Sequence, residues 1–220
     1  MNKRINDWIN WVLYDELIAG KLNAPKHLLG IHEYGEGQII TAYRPHAVEV
    51  KVTSRTGKKV HTMEKVTDEG FYAIFFPKKE FSGTKYNLVT TYEDGTTVTT
   101  ADPYAFDSLI SDFDSYLFAE GKHYEIYNKF GAHPMTIDGV KGTYFAVWAP
   151  DARRVSVVGD FNMWDGNLHP MQLRPNGGIY ELFIPNVLSG AVYKYQILTR
   201  YDEILYKLSL IHISEPTRRS

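Results

Sequence analysis

The sequence predicts a mainly β protein: two tandem copies of one β-sandwich, an N-terminal helix before them and a helical linker between them. Three observations carry this. Short stretches rich in β-branched and aromatic residues (AVEVKV, FYAIFF, YNLVTTY, YFAVWAP, RVSVVG, IYELFI, VYKYQI) alternate with Asp-Gly, Gly-Gly and Ser-Gly turn signals. These stretches fall into two sets with the same order. Helical periodicity is confined to two segments, one at the start and one between the sets.

The elements follow in chain order. Ile5, Trp8, Ile9, Val12, Leu13 and Leu17 recur at helical spacing and Gly20 follows as a stop, which predicts a helix within residues 1–22. The first sandwich, residues 23–106, contains Gly30 and His32, then YRPHAVEVKV, GFYAIFFP and GTKYNL, and closes on DPYAF. The linker, residues 107–129, carries a stripe of Phe106, Leu109, Ile110, Phe113, Tyr116 and Leu117, with Asp107 or Ser108 as the expected cap and Gly121 beyond its end. Burial of both stripes against a neighbour is the expectation. The second sandwich, residues 130–207, repeats Gly131 and His133, then WAPDARRVSVV, GIYELFIP and GAVYKY. Tyr72 precedes Pro77 as Tyr180 precedes Pro185, and Gly83 precedes Tyr86 as Gly190 precedes Tyr193. A period of about a hundred residues marks duplicated domains rather than solenoid units. The repeat demands a second Asp-Pro-Tyr after Lys207. The chain instead reads LSLIHISEPTRRS, so the pattern breaks between Lys207 and Leu208.

Composition narrows the function. A net charge of −2 with no basic block gives no electrostatic case for nucleic acid or an anionic membrane. No apolar run reaches the ~20 residues of a membrane span. Asp7, Asp15 and Glu16 interrupt any signal-peptide core, so a cytoplasmic protein is expected. The absence of cysteine excludes disulfides and thiolate sites.

Individual residues add candidates. Trp164, in FNMWDG before a turn, has the flat apolar face that stacks on a pyranose ring; packing on the sandwich rim is its other reading. Asn162 is a candidate for a sugar hydroxyl, with a turn role as the commoner alternative. Trp148, in an alternating strand, is expected in the core. His32 and His133 occupy equivalent positions at a strand entrance, and no further ligands at metal-binding spacing accompany them. Asp151, Asp160 and Asp165 read as turn residues. Arg153 and Arg154 read as a solvated or domain-facing strand end. Gly131, Gly139 and Gly142 form no nucleotide loop.

The string GTYFAVWAPDARRVSVVGDFNMWDGNLHPM, continued by GGIYELFIP and YKYQI, resembles the second N-terminal module of bacterial glycogen (1,4-α-glucan) branching enzymes. LIAGKLNAPKHLLGIH and DPYAF resemble the first module of the same enzymes, so the resemblance covers roughly residues 5–207. It implies immunoglobulin-like β-sandwiches, the second a carbohydrate-binding module of the glycogen and starch enzymes. It implies a following β/α barrel that cuts α-1,4-glucan and transfers the piece to a 6-hydroxyl through carboxylate chemistry, with no metal or organic cofactor. None of the barrel's catalytic motifs occurs here, so no catalytic residue is expected and the chain alone should be inactive. In related glucan-sensing modules the tryptophan of FNxW and the lysine of the YKY-like strand contact sugar, which carries over to Trp164 and Lys194. The implied partners are α-glucan and the missing barrel, with neither nucleic acid nor membrane. Trp164 packing on that barrel is a further alternative. The tail LSLIHISEPTR resembles a translated adapter of transposon-based sequencing libraries, which sets residues 208–220 aside; a genuine interaction tail is the rival. The leading function is the non-catalytic N-terminal part of a branching enzyme. A free-standing glucan-binding module, or the N-terminal module of another glycogen or starch enzyme, is the alternative. An adhesion role suits the sequence poorly without a signal peptide.

Overall fold

The computed structural model describes residues 2–175 and 178–207. The tail, with the expectation that Leu210 and Ile213 stay out of any core, lies outside the described residues. The chain divides into two compact units. One takes the residues up to Ile18 with Lys26–Phe106; the other takes Ala19–Pro25 with the residues from Asp107 onward.

The first unit opens with α1 (Lys3–Trp8) and α2 (Trp11–Ile18). Its strands are β1 (Gly30–Tyr34), β2 (Gly37–Tyr43), β3 (Ala47–Ser54), β4 (Val60–Thr62), β5 (Glu64–Lys65), β6 (Phe71–Phe76), β7 (Tyr86–Tyr92) and β8 (Thr97–Ala101). They form two antiparallel sheets of order β1-β2-β6-β5 and β4-β3-β7-β8. Ile40, Val50, Val52, Tyr72, Tyr86 and Leu88 fill the core, each at most 1% exposed. Alternation along the strands places them on one face, as a half-buried sheet requires.

The second unit contains α3 (Asp112–Ala119), β9 (Gly131–Ile137), β10 (Val140–Trp148), β11 (Ala152–Gly159), β12 (Gln172–Leu173), β13 (Ile179–Pro185), β14 (Tyr193–Thr199) and β15 (Ile204–Lys207). Its sheets run β12-β13-β10-β9 and β11-β14-β15, again antiparallel. Phe145 from β10 meets Tyr193 from β14 edge-on at 5.0 Å in the core.

The sheet orders show the duplication: β1, β2, β6 and β5 correspond to β9, β10, β13 and β12, and β3, β7 and β8 to β11, β14 and β15. Equivalent bonds recur. The Tyr72 hydroxyl donates to the Ala47 carbonyl at 2.5 Å, and the Tyr180 hydroxyl donates to the Ala152 carbonyl at 2.8 Å. In each case a tyrosine of one sheet ties down the first residue of a strand in the other.

Both helical expectations change in detail. The first stripe is two helices, because Asn10 accepts from the Val12 and Leu13 amides and starts α2 anew, while Ile9 turns extended. In the linker the cap is Ser111, not Asp107 or Ser108. Ser111 and Asp114 exchange side-chain and backbone bonds in a capping box, so the helix begins at Asp112. Leu109 and Ile110 precede it, and their amides donate to the buried Glu181 carboxylate at 3.1 and 3.3 Å. The expected buried stripe therefore does not form: Phe113 and Tyr116 are 67% and 58% exposed. Trp148 is likewise not in the core but 54% exposed. Period-two alternation on β10 sends Phe145 inward and so sends Trp148 outward, where its ring meets Phe118 at 5.7 Å.

Candidate functional site

The site lies where β11 ends. After Gly159 the chain makes one short 3-10 turn, Asp160–Asn162, and then two successive residues, Met163 and Trp164, with φ of 54° and 62°. Left-handed backbone at two bulky residues costs on the order of 1–3 kcal/mol each and persists only where neighbours impose it. Asn162 is one such neighbour. It is 2% exposed; its Oδ1 accepts from the Gly159 amide at 2.9 Å, and its Nδ2 contacts the Val157 carbonyl and His169 Nδ1, each at 2.8 Å. Every polar atom of the side chain is engaged inside the turn. Asn162 is thereby removed as a sugar contact, for want of both exposure and hydrogen-bonding capacity.

Trp164 is 36% exposed, so part of its indole is open. Its amide donates to the Gly159 carbonyl at 3.0 Å and its Nε1 to Asp160 Oδ1 at 2.9 Å. Lys194, on β14 opposite Val158, places its Nζ 5.6 Å from the Trp164 ring centroid. The fold thus brings together the two residues that the sequence pairs only by resemblance, about thirty positions apart. An ammonium over an oriented, part-open indole sets a hydrogen-bond donor next to an apolar aromatic surface, the combination that a pyranose ring presents a complement to. The first unit has no counterpart. The equivalent of Lys194 is Asn87, and the connection after β3 runs Arg55–Lys59 without an aromatic residue.

Sequence reasoning missed Arg154. Read as a solvated or domain-facing strand end, it is 3% exposed and bonded within its own unit. Its guanidinium donates to the Gly166 carbonyl at 3.0 Å, to Asn167 Oδ1 at 3.1 Å and to Gln196 Oε1, clamping the Trp164 loop onto β14. Only Arg153 behaves as expected, pairing with Asp202 at the surface. A register shift between Ala152 and Arg154 leaves Arg153 as an extra, exposed residue and Arg154 paired and buried, which separates the neighbours. The other predicted turn residues serve locally: Asp160 holds the Trp164 indole, Asp165 accepts from the Asn167 amide at 2.8 Å, and Asp151 pairs with Arg200. Among the described residues no group of three or more His, Asp or Glu is placed to hold a metal ion, and no helix is long and apolar enough to cross a membrane. His133 contacts the Phe130 carbonyl at 2.8 Å, while His32 packs its ring on Trp8 at 4.5 Å.

Comparison with known proteins separates the chain into two matches. Residues 11–104 match the family described as the N-terminal domain of alpha-1,4-glucan branching enzyme GlgB. Residues 129–209 match carbohydrate-binding module 48, the isoamylase N-terminal domain. The 1,4-alpha-glucan branching enzyme GlgB of Rubrobacter xylanophilus is 45% identical over 182 residues, which is 82% of this chain and 24% of that protein. The chain therefore spans about a quarter of the length of that relative. Among solved structures, ligand-free PulA of Klebsiella pneumoniae is 17% identical, covering 81% of this chain and 19% of its own at a TM-score of 0.31. The type I pullulanase of Bacillus subtilis in complex with maltose is 16% identical, covering 81% and 24% at a TM-score of 0.30.

Proposed function

We propose, for a chain that is the N-terminal, non-catalytic part of a GlgB-type 1,4-α-glucan branching enzyme, that its second module holds α-glucan on Trp164 and Lys194 for a catalytic domain carried elsewhere in the enzyme. The whole enzyme would transfer α-1,4-glucan segments to form α-1,6 branches in cytoplasmic glycogen. The observation that carries the glucan reading is the meeting of the Lys194 ammonium with a half-open, hydrogen-bonded indole. The indole offers its apolar face to the C–H face of a glucose unit, and Lys194 donates to a hydroxyl. The catalytic domain is the partner we assign to the exposed aromatic side chains Phe113, Tyr116 and Trp148. The domain scheme proposed is an N-terminal helical segment, a first sandwich to Phe106, a helical linker and a carbohydrate-binding sandwich from about residue 130.

Binding through one aromatic platform is weak. Stacking is worth ~0.5–1.5 kcal/mol beyond area burial, and an affinity near 1 mM corresponds to about −4 kcal/mol. Calorimetric titration of maltoheptaose into the chain should give a dissociation constant in that range. Trp164→Ala should remove most of the binding and Lys194→Ala a smaller part, with circular dichroism unchanged for both. Equal binding by wild type and Trp164→Ala would place the sugar elsewhere.

A further inference from the structure

Beside Trp164 the second unit carries a groove of about 420 Å³, and one wall of it comes from far upstream in the sequence. Ala19, Gly20 and Lys21 form that wall. They belong to the strap Ala19–Pro25, which is built into the unit. Asn23 Nδ2 donates to the Arg153 carbonyl at 3.1 Å, and the Leu173 amide donates to the Asn23 carbonyl at 2.8 Å. Gly20 has a φ of +67°, and a Cβ there would stand 2.9 Å from Asn167 Oδ1, so glycine is what lets the strap approach this closely. Lys21 Nζ then lies 3.7 Å from Asp202 Oδ1 across the groove.

The lining suits a neutral polyhydroxylated ligand. Its charged side chains are of both signs and mutually engaged: Asp202 pairs with Lys21 and with Arg153 outside the groove, and Arg154 is bonded to Gly166, Asn167 and Gln196. Arg154 holds Asn167 Oδ1, which leaves Asn167 Nδ2 to donate. Carboxylate acceptors beside amide and ammonium donors match sugar hydroxyls, which do both. Trp164 borders the same groove.

We propose that the strap completes the α-glucan site: a chain with one glucose unit stacked on Trp164 continues into this groove, where Asn167, Asp202 and the Lys21 ammonium each bond the next unit. The inference rests on the Trp164 reading above. It implies that the glucan site of the second module depends on residues outside the matched segment 129–209.

The test is an NMR titration of maltoheptaose into the isotope-labelled 220-residue chain, its Lys21→Met variant and its Trp164→Ala variant. Lys21→Met keeps the apolar stem of a half-buried side chain, so folding should be unaffected. In wild type the Gly20 and Asn167 amides should shift on titration, and Lys21→Met should bind about three- to tenfold more weakly, the effect of one hydrogen bond. Wild-type affinity in Lys21→Met, with Gly20 unmoved and Trp164→Ala impaired, would overturn the strap proposal and leave the Trp164 site standing. Tighter binding by Lys21→Met would show that the strap covers the site rather than completing it, which also overturns the proposal. Unimpaired binding by Trp164→Ala would remove the reading on which the strap rests.

Discussion

Asn162→Ala isolates what holds Trp164 in place. The side chain makes three hydrogen bonds of 2.8–2.9 Å, to the Gly159 amide, the Val157 carbonyl and His169 Nδ1, and it is buried. At ~0.5–1.5 kcal/mol net per bond, and with a buried amide left unpaired, the variant should lose about 2–4 kcal/mol. The same bonds impose left-handed backbone on Met163 and Trp164, so their removal should also let the loop relax and blur the indole position. Asn162→Asp retains the acceptor for the Gly159 amide but sets a buried carboxylate oxygen against the Val157 carbonyl, and should cost at least as much. Urea denaturation of the second module reads the stability, and maltoheptaose titration reads the consequence for binding. A loss below about 0.5 kcal/mol in Asn162→Ala would mean that these bonds contribute no more than a surface contact, and the account of the turn would be wrong.

Other expectations follow from the same structure. Tyr72→Phe and Tyr180→Phe remove equivalent bonds from the two sandwiches, so each should destabilise its own module by about 1 kcal/mol in denaturant titration. Burial lowers the His32 imidazole from 6.5 to about 4. A folded pKa below the unfolded one means that protons favour the unfolded state, so this contribution is complete above pH 6.5 and declines as pH falls towards 4. His32→Gln should flatten the stability profile of the first module in that window; an unchanged profile would remove His32 as the cause. Incubated with amylose, the chain should form no α-1,6 linkages detectable by NMR above a heat-killed control; reproducible linkages would place catalytic groups within these residues.

Strand pattern and repeat were legible in the sequence because burial on one sheet face imposes period two, and because two copies of one sandwich must bury equivalent residues. Tyr72 and Tyr180 were visible as a repeat, although their bonds to Ala47 and Ala152 were not. Periodicity reads which residues are apolar and not what lies opposite them. Phe113, Tyr116 and Trp148 were therefore expected inside, yet each stays more than half exposed, Trp148 with the Phe118 ring against it. Helix ends failed for a related reason. Asn10 and Ser111 override apolar stripes that run on past them, since a side chain bonded to free amides decides where a helix starts. At the site, Trp164 was legible from its own chemistry. Its partners were less so: Lys194 came only by resemblance, and Arg154 and the strap at Gly20 depend on tertiary approach that no local pattern encodes.

The central claim is that Trp164 is the surface on which the second module receives α-glucan. The chain has four tryptophans, and each gives one indole N–H resonance in an isotope-labelled sample. Assigned by single substitution and followed during a maltoheptaose titration, the Trp164 resonance should move with a dissociation constant near 1 mM, or about −4 kcal/mol, while those of Trp8, Trp11 and Trp148 stay in place. Movement of the Trp148 resonance with Trp164 fixed, or no movement at all at saturating sugar, would contradict the account.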